Sequence, residues 1–331
     1  MDNKKTALVM GGGGFIGSHM VNSLKDEGFF VRAVDIFNPS FSKSKADEFV
    51  LYDLTQQEKF EDILNINGNP FDEIYQFAAD MGGAGYIFSG EYDADIMSSS
   101  CIININFLNF QKKLENITKK KSRIFYSSSA CIYPEYNQLE PDNPNCNEES
   151  AYPAQPDSEY GWEKLFSERL YLSYLRNYEM DIHIARYHNI FGPEGAFDNG
   201  KEKAPAAICR KVALSNFEDE IEIWGDGKQT RSFLYIDECL KATKKLIRSE
   251  FVGPVNIGSE EMVTINELVR IVAEISEKKI RVKHIDGPLG VRGRNSDNKL
   301  INEKLGWNYK MTLKEGLTET YKWIESQIEK Y

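Results

Sequence analysis

The sequence predicts an α/β fold, a doubly wound parallel sheet with a smaller, interleaved C-terminal α/β lobe. Three observations predict it. Short apolar runs alternate with amphipathic stretches through the first half of the 331-residue chain, the order that gives a parallel sheet with helices on both faces. Gly-Gly-Gly-Gly-Phe-Ile-Gly at residues 11–17 follows directly on the apolar run 7–10. Asp35 then closes the next apolar run, eighteen residues after Gly17.

Taken in order, residues 6–10 read as a buried strand and 11–14 as a tight turn. A helix at 16–27 follows, with its positive N-terminal end facing the turn. Strands are expected at 29–35, 48–51, 73–77, 123–128 and 181–187, all short and mostly apolar, as strands covered on both faces must be. Between them lie helices at 58–64, 94–114 and 158–178, the last expected to bury Leu165, Phe166, Leu170 and Leu175 on one face. From about Phe191 the rhythm breaks into Pro- and Gly-rich segments, with a short strand at 221–224 and helices at 265–276 and 313–330. The expected division is therefore 1–190 for the Rossmann domain and 191–331 for the second lobe, interleaved rather than joined by a linker.

The glycine turn and Asp35 together describe a dinucleotide pocket. Gly11, Gly14 and Gly17 let backbone N–H groups of Phe15 and Ile16 approach a pyrophosphate, and a carboxylate at the end of the second strand accepts ribose hydroxyls. Asp35 selects NAD, because the 2′-phosphate of NADP would meet a like charge. Arg32 lies close by in sequence but is expected to point elsewhere.

Composition narrows the partners. Lys and Arg total 40 against 51 Asp and Glu, a net charge of −11, which argues against general affinity for nucleic acid or anionic membranes. No apolar stretch approaches the roughly 18 residues of a membrane span, and Met1-Asp2-Asn3-Lys4-Lys5 runs into the first strand without a signal peptide. A cytoplasmic location is expected. The five cysteines, at 101, 131, 146, 209 and 239, are odd in number and form no C-x-x-C pair, and the histidines at 19, 183, 188 and 284 have no metal-ligand spacing. Neither a disulfide framework nor a metal is expected.

Tyr160 and Lys164 stand four residues apart on one predicted helix, hence on one face. An ammonium beside a phenol favours the phenolate, so Tyr160 could accept a proton from an alcohol while a hydride leaves its carbon. Ser127-Ser128-Ser129 ends the 123–128 strand and supplies a hydroxyl to polarise the same oxygen.

Beyond these, the chain resembles the extended short-chain dehydrogenase/reductases and, among them, nucleotide-sugar epimerases of the GDP-mannose 3,5-epimerase type. The resemblance is carried by Ala78-Ala79-Asp80-Met81-Gly82-Gly83, Ser128-Ser129-Ala130-Cys131-Ile132-Tyr133-Pro134-Glu135, Tyr160 with Lys164, Arg186-Tyr187-His188-Asn189-Ile190-Phe191-Gly192-Pro193, Glu202-Lys203-Ala204-Pro205-Ala206-Ala207, Trp224-Gly225-Asp226-Gly227-Lys228-Gln229-Thr230-Arg231-Ser232-Phe233, and Gly290-Val291-Arg292-Gly293-Arg294-Asn295-Ser296-Asp297-Asn298. The stretch between Tyr86 and Ile124 departs from the family pattern, most clearly around Glu91.

The resemblance implies that bound NAD oxidises C4 of a GDP-hexose with Ser129, Tyr160 and Lys164. The C4 ketone acidifies C3–H and C5–H, inversion follows, and C4 is reduced again. It implies Cys131 as base and Lys203 as the opposing acid; a thiol ordinarily ionises near about 8.5, and a nearby ammonium favours the thiolate. On the cofactor side it adds Asp53 and Leu54 near the adenine, and Ala78 and Ala79 along the pyrophosphate. Substrate contacts are implied for Gly82, Asn189, Glu202, Lys203, Ala204, Lys211, Trp224, Gln229, Arg231 and Arg292, arginine being suited to diphosphate by its planar fork. Arg294 fits a surface ion pair better. A homodimer through the Tyr160 helix and the helix before residue 123 is also implied.

Alternatives of the same family are a GDP-4-keto-6-deoxymannose 3,5-epimerase/4-reductase and a GDP-sugar 4-dehydrogenase or epimerase acting on a modified hexose or heptose. The first type uses NADPH and a histidine acid, which Asp35 and Lys203 disfavour. A non-catalytic NAD-sensing protein would have no use for Cys131 and Lys203 together.

Overall fold

The computed structural model describes residues 4–287 and 290–330. Seven parallel strands form the central sheet: β1 Thr6–Met10, β2 Phe30–Asp35, β3 Glu48–Leu51, β4 Glu73–Gln76, β5 Arg123–Ser129, β6 Asp181–Tyr187 and β7 Val255–Ile257. Their order is β3-β2-β1-β4-β5-β6-β7, so the chain reverses direction across the sheet between β1 and β4. A crevice at the carboxyl ends of the strands is the consequence. The seventh strand was not expected: only three residues, Val255-Asn256-Ile257, pair with Ala185, Arg186 and Tyr187, too short a run for periodicity to reveal.

Both faces of the sheet are covered, as its apolar strands require. In β1, Ala7 and Val9 belong to one core with Met20, Val21 and Leu24 of α1 (Phe15–Asp26). Leu8 and Met10 alternate into the opposite core, with Phe107 and Leu108 of α2 (Asp93–Thr118) and Tyr171 of α3 (Glu159–Tyr178). Side-chain alternation in a strand gives this division directly.

Beyond residue 190 the sequence supports more helix than its Pro and Gly content suggests. α4 (Ala204–Leu214) starts with a proline in its first turn, where the missing N–H costs nothing. α5 (Ile236–Ile247) has Asp237 and Glu238 in its first turn and Lys244 and Lys245 in its last, complementing the helix dipole. Both were missed in the sequence, although these end signals were there to read. α6 (Ile265–Ile275) and α7 (Leu313–Ile328) each start with a capping box, Thr264 with Glu267 and Thr312 with Glu315. Ile208, Leu268 and Leu317 from these helices join the same core as β1, which ties the C-terminal region to the sheet.

Helix α3 corrects the expected apolar face. Leu165 is buried, but Phe166 is 46% exposed, because neighbouring residues on a helix point about 100° apart. The buried stripe is instead largely polar: Tyr160, Glu163, Lys164, Ser167 and Glu168. Glu168 anchors it, accepting hydrogen bonds from Arg186 Nη2 at 2.7 Å and Nε at 3.0 Å and from Ser128 Oγ at 2.9 Å. A buried bidentate pair of this kind fixes the helix two turns beyond Tyr160.

Candidate active site

At the end of β1 the chain turns so tightly that a Cβ on Gly17 would stand 1.9 Å from Gly11 O, and one on Gly11 would stand 2.7 Å from Ala78 N. The glycine turn and the Ala78-Ala79 segment thus lie side by side. No side chain caps the N-terminus of α1, and no acidic residue stands in its first turn, so its N–H groups and positive dipole end are free to take an anion. Asp35 ends β2 under this turn, its carboxylate accepting from Gly13 N at 2.9 Å and Ile36 N at 2.7 Å. Burial pushes its carboxyl upward in spite of those backbone donors. Arg32 points away, as expected, pairing with Glu48 at 2.6 Å. Asp53 is exposed just beyond β3, holding its own turn through Thr55 N at 2.9 Å, and Leu54 is buried beside it. A dinucleotide fits these groups: an uncapped helix end for the pyrophosphate and a carboxylate beyond it for a ribose.

The three serines at the end of β5 separate by function. Ser127 donates to Gln76 O and Ser128 to Glu168, whereas Ser129 Oγ accepts from Cys131 N at 3.2 Å and favours the phenolate of Tyr160. Helix α3 comes so close to the Cys131 turn that a Cβ on Gly161 would stand 2.3 Å from Cys131 O. Glycine at 161 is what lets Tyr160 reach Cys131. Tyr160 packs with Ile87 and Ile96, and Met81, Tyr86, Phe88 and Cys131 pack against this cluster.

Burial, more than Lys164, governs the acidity of the Tyr160 phenol. Burial pushes Tyr160 well above the ordinary tyrosine value, with the charges of Cys131 and Glu163 adding to it and Ser129 and Arg294 opposing. The Lys164 ammonium sits 3.5 Å from Glu163 Oε2 and lies 5.6 Å from the Tyr160 ring centroid and 5.4 Å from that of Tyr126. It pairs with Glu163 and lies over both rings.

Lys203 caps the start of α4 through its backbone. Its ammonium is driven below the ordinary lysine value by burial, opposed by the charges of Cys131 and Cys239. Beside it, Glu202 Oε2 is buried without a hydrogen-bond partner among the described residues, an acceptor positioned for a ligand hydroxyl. The segment carrying both is clasped from across the crevice: Gly83 N donates to Lys201 O at 3.0 Å, and Lys201 Nζ lies 3.3 Å from Asp80 and 3.9 Å from the Tyr86 ring centroid. A phenol and a thiol therefore pack together near the dinucleotide cradle, with an ammonium whose charge bears on the thiol, an arrangement able to move protons on and off carbon next to a carbonyl.

Comparison with known proteins agrees with this chemistry. A model of the NAD-dependent epimerase/dehydratase family matches residues 7–258. The chain belongs to that family. GDP-mannose 3,5-epimerase of Arabidopsis thaliana is 47% identical, over 99% of this chain and 84% of its own. GDP-mannose 3,5-epimerase 1 of Oryza sativa subsp. japonica is 46% identical, over 97% and 82%. Among solved structures, the UDP-N-acetylglucosamine 4-epimerase of Methanobrevibacter ruminantium, in complex with UDP-N-acetylmuramic acid, superimposes with a TM-score of 0.82 at 25% identity, covering 99% of this chain and 100% of that one. The cofactor of this family is NAD, in keeping with Asp35.

Of the remaining sequence-predicted residues, Lys211 and Gln229 bond to the backbone of the strand that ends in Trp224, in the C-terminal part of this epimerase-family chain. Lys211 Nζ donates to Glu222 O at 2.6 Å, and Gln229 Nε2 to Trp224 O at 3.3 Å, leaving Gln229 Oε1 buried without a partner among the described residues. The Trp224 ring lies against the backbone of Gly85 and Gly287. Asn189, in left-handed backbone at φ 44°, donates to Ser232 O at 3.0 Å. Gly82 is buried under Tyr86, and Ala204 opens α4 next to Lys203. Arg231 donates to Thr230 O and Val291 O.

Arg294, expected in a surface ion pair, is the buried one of the two arginines near the end. Arg292 makes the surface pair, with Asp226 at 3.2 Å. Arg294 is 6% exposed and donates from Nη1 to Cys131 Sγ at 3.0 Å. Sequence spacing could not distinguish them. The signal lies in pairing: the strand Gly293–Arg294 runs parallel to Thr230–Ser232, which sets Arg294 beside Arg231 in the interior.

Proposed function

We propose that this chain inverts C3 and C5 of a GDP-hexose of the mannose type, passing through a transient C4 ketone. The observation that carries the reading is the packing of Cys131 against Tyr160 in a cluster that includes Tyr86, to which the segment bearing Lys203 is clasped through Lys201; the charge of Cys131 bears on Lys203 as well. A dehydrogenase that only oxidised C4 would need no such second pair. The 47% identity to an Arabidopsis GDP-mannose 3,5-epimerase supports the sugar and the base.

Bound NAD supplies the hydride acceptor and donor for C4, held by Gly11, Gly14, Phe15, Ile16, Gly17, Asp35, Asp53, Leu54, Ala78, Ala79, Tyr160 and Lys164. Ser129 and Tyr160 bond the C4 oxygen, and Tyr160 takes and later returns its proton. Cys131 removes the proton from carbon next to the ketone. Lys203 delivers one to the opposite face. Gly82, Asn189, Glu202 and Ala204 line the sugar, and Lys211, Trp224, Gln229, Arg231 and Arg292 take the nucleotide diphosphate. In this reading 1–190 binds NAD and 191–331 the sugar nucleotide, with β7 returning to the sheet.

The test is incubation with GDP-mannose in D₂O, following deuterium at C3 and C5 by NMR. Label at both, with inverted product, is the expected result. Label at neither, in protein shown to hold NAD, would refute the reading.

A homodimer through α2 and α3 belongs to the same reading. Ile102 and Ile105 of α2 are 42% and 39% exposed, and Trp162 and Phe166 of α3 are 42% and 46% exposed, an apolar surface suited to a second copy of the same two helices. Phe166→Glu should convert the dimer to monomer in sedimentation; a wild-type monomer at micromolar concentration would remove the proposal. No described helix is long and apolar enough to cross a membrane. The five cysteines stand as free thiols, in keeping with the cytoplasmic location proposed here.

A further inference from the structure

Arg231 and Arg294 are register partners on adjacent parallel strands, and like charges on neighbouring strands destabilise a sheet unless something between them compensates. The effect is visible in Arg231, which burial and then Arg294 pull down to about 10. Arg231 turns to backbone carbonyls, of Thr230 and Val291. Arg294 turns the other way and uses its whole fork: Nε donates to Gln138 Oε1 at 2.6 Å, Nη2 to Asp157 Oδ2 at 3.0 Å and Nη1 to Cys131 Sγ at 3.0 Å.

These three partners come from three separate segments, and each fixes one edge of a planar group. A guanidinium so held cannot swing away from the sulfur. Asp157 is itself buried, its side chain 5% exposed, and carries one negative charge. The interior then holds the cations Arg231, Arg294 and Lys203 against the single anion Asp157, positive charge in excess next to Cys131. An anionic sulfur would offset part of it, and the Arg294 cation is indeed stabilised chiefly by Cys131 and then Asp157, against burial.

We propose that Arg294 is the positioning residue for Cys131: it aims Sγ and sustains its negative charge, so that the thiolate can take a proton from carbon. This rests on the reading of Cys131 as base. The other groups whose charge bears on Cys131 are Tyr160 on α3, Lys203 at the start of α4, Arg231, and the thiol of Cys146. Of these, Arg294 is the one that donates a hydrogen bond to the sulfur among the described contacts. A thiolate accepts such a bond more strongly than a thiol does.

The test uses the NAD-loaded enzyme and iodoacetamide near neutral pH, following Cys131 by mass spectrometry of its peptide. Arg294→Gln should slow alkylation of Cys131 about tenfold, and Arg294→Lys, which keeps the cation, should restore part of the rate. Asp157→Asn, which removes the competing anion, should speed it. The opposite signs matter, since a purely structural role would move both variants in one direction. With GDP-mannose in D₂O, Arg294→Gln should lower kcat for label exchange at C3 and C5 with KM little changed, while single-turnover absorbance of reduced cofactor persists. Unchanged alkylation in Arg294→Gln overturns the proposal. Should that variant fail to fold, slower or unchanged alkylation in Asp157→Asn overturns it instead. If alkylation responds as expected but Cys131→Ala still exchanges label, the base reading falls and the coupling of Arg294 to Cys131 stands.

Discussion

Tyr160→Phe should lower turnover of GDP-mannose about 10³-fold, within the range for loss of a positioned proton-transfer group, and should abolish deuterium exchange at C3 and C5 with it. The ring itself should stay in place, since it packs with Ile87 and Ile96 and against Cys131, so the substitution removes a hydroxyl and little else. That hydroxyl is buried beside Ser129, whose side chain favours the phenolate while burial opposes it. In the proposed sequence the C4 alcohol must lose its proton before either neighbouring C–H becomes acidic, so one missing oxygen blocks every later step. Cys131→Ala provides the contrast. It should retain a single-turnover absorbance of reduced cofactor, because oxidation at C4 does not use the thiol, while exchange at carbon disappears. Near-normal exchange in Tyr160→Phe would show that the ketone forms without it.

How far the sequence reaches can be judged from these same residues. The glycine turn and Asp35 were legible, because their placement depends on local geometry: glycines too close to other backbone for a Cβ, and a carboxylate ending the next strand. Tyr160 and Lys164 were legible as a helical pair, but the weight of burial on the phenol was not. Helical spacing gives a shared face, whereas the acidity of Tyr160 depends on burial by residues 81–96 and on Glu163, which pairs with Lys164. Arg292 and Arg294 make the limit plainer still. They are two residues apart in one segment, and only the pairing of Arg294 with Arg231, 63 positions away in the chain, decides which turns inward. Helices α4 and α5, missed in the sequence, are a different matter: their end signals are local, and the Pro and Gly around them obscured the reading.

Lys203→Ala should lose inversion by about a hundredfold or more while leaving deuterium exchange with retained configuration. Cys131 can still remove a proton and return one from solvent to the same face, so exchange and inversion, tied together in the native enzyme, should come apart. The alternative role for Lys203 is a phosphate contact, which would weaken binding and spare turnover; separate measurement of GDP-mannose affinity and of the inversion rate distinguishes the two. Acidity gives an independent check. Burial drives the Lys203 ammonium below the ordinary lysine value of 10.5, so the proton it donates is lost at lower pH than from an exposed lysine. The inversion rate of the native enzyme should therefore fall on the alkaline side before that value is reached, as the donor form titrates away. C4 oxidation, followed by reduced-cofactor absorbance, should not share that limb. A common alkaline limb for both steps, or a Lys203→Ala variant that inverts at near-native rate, would leave Lys203 outside the proton transfer and return the second acid to be found among the groups around Glu202.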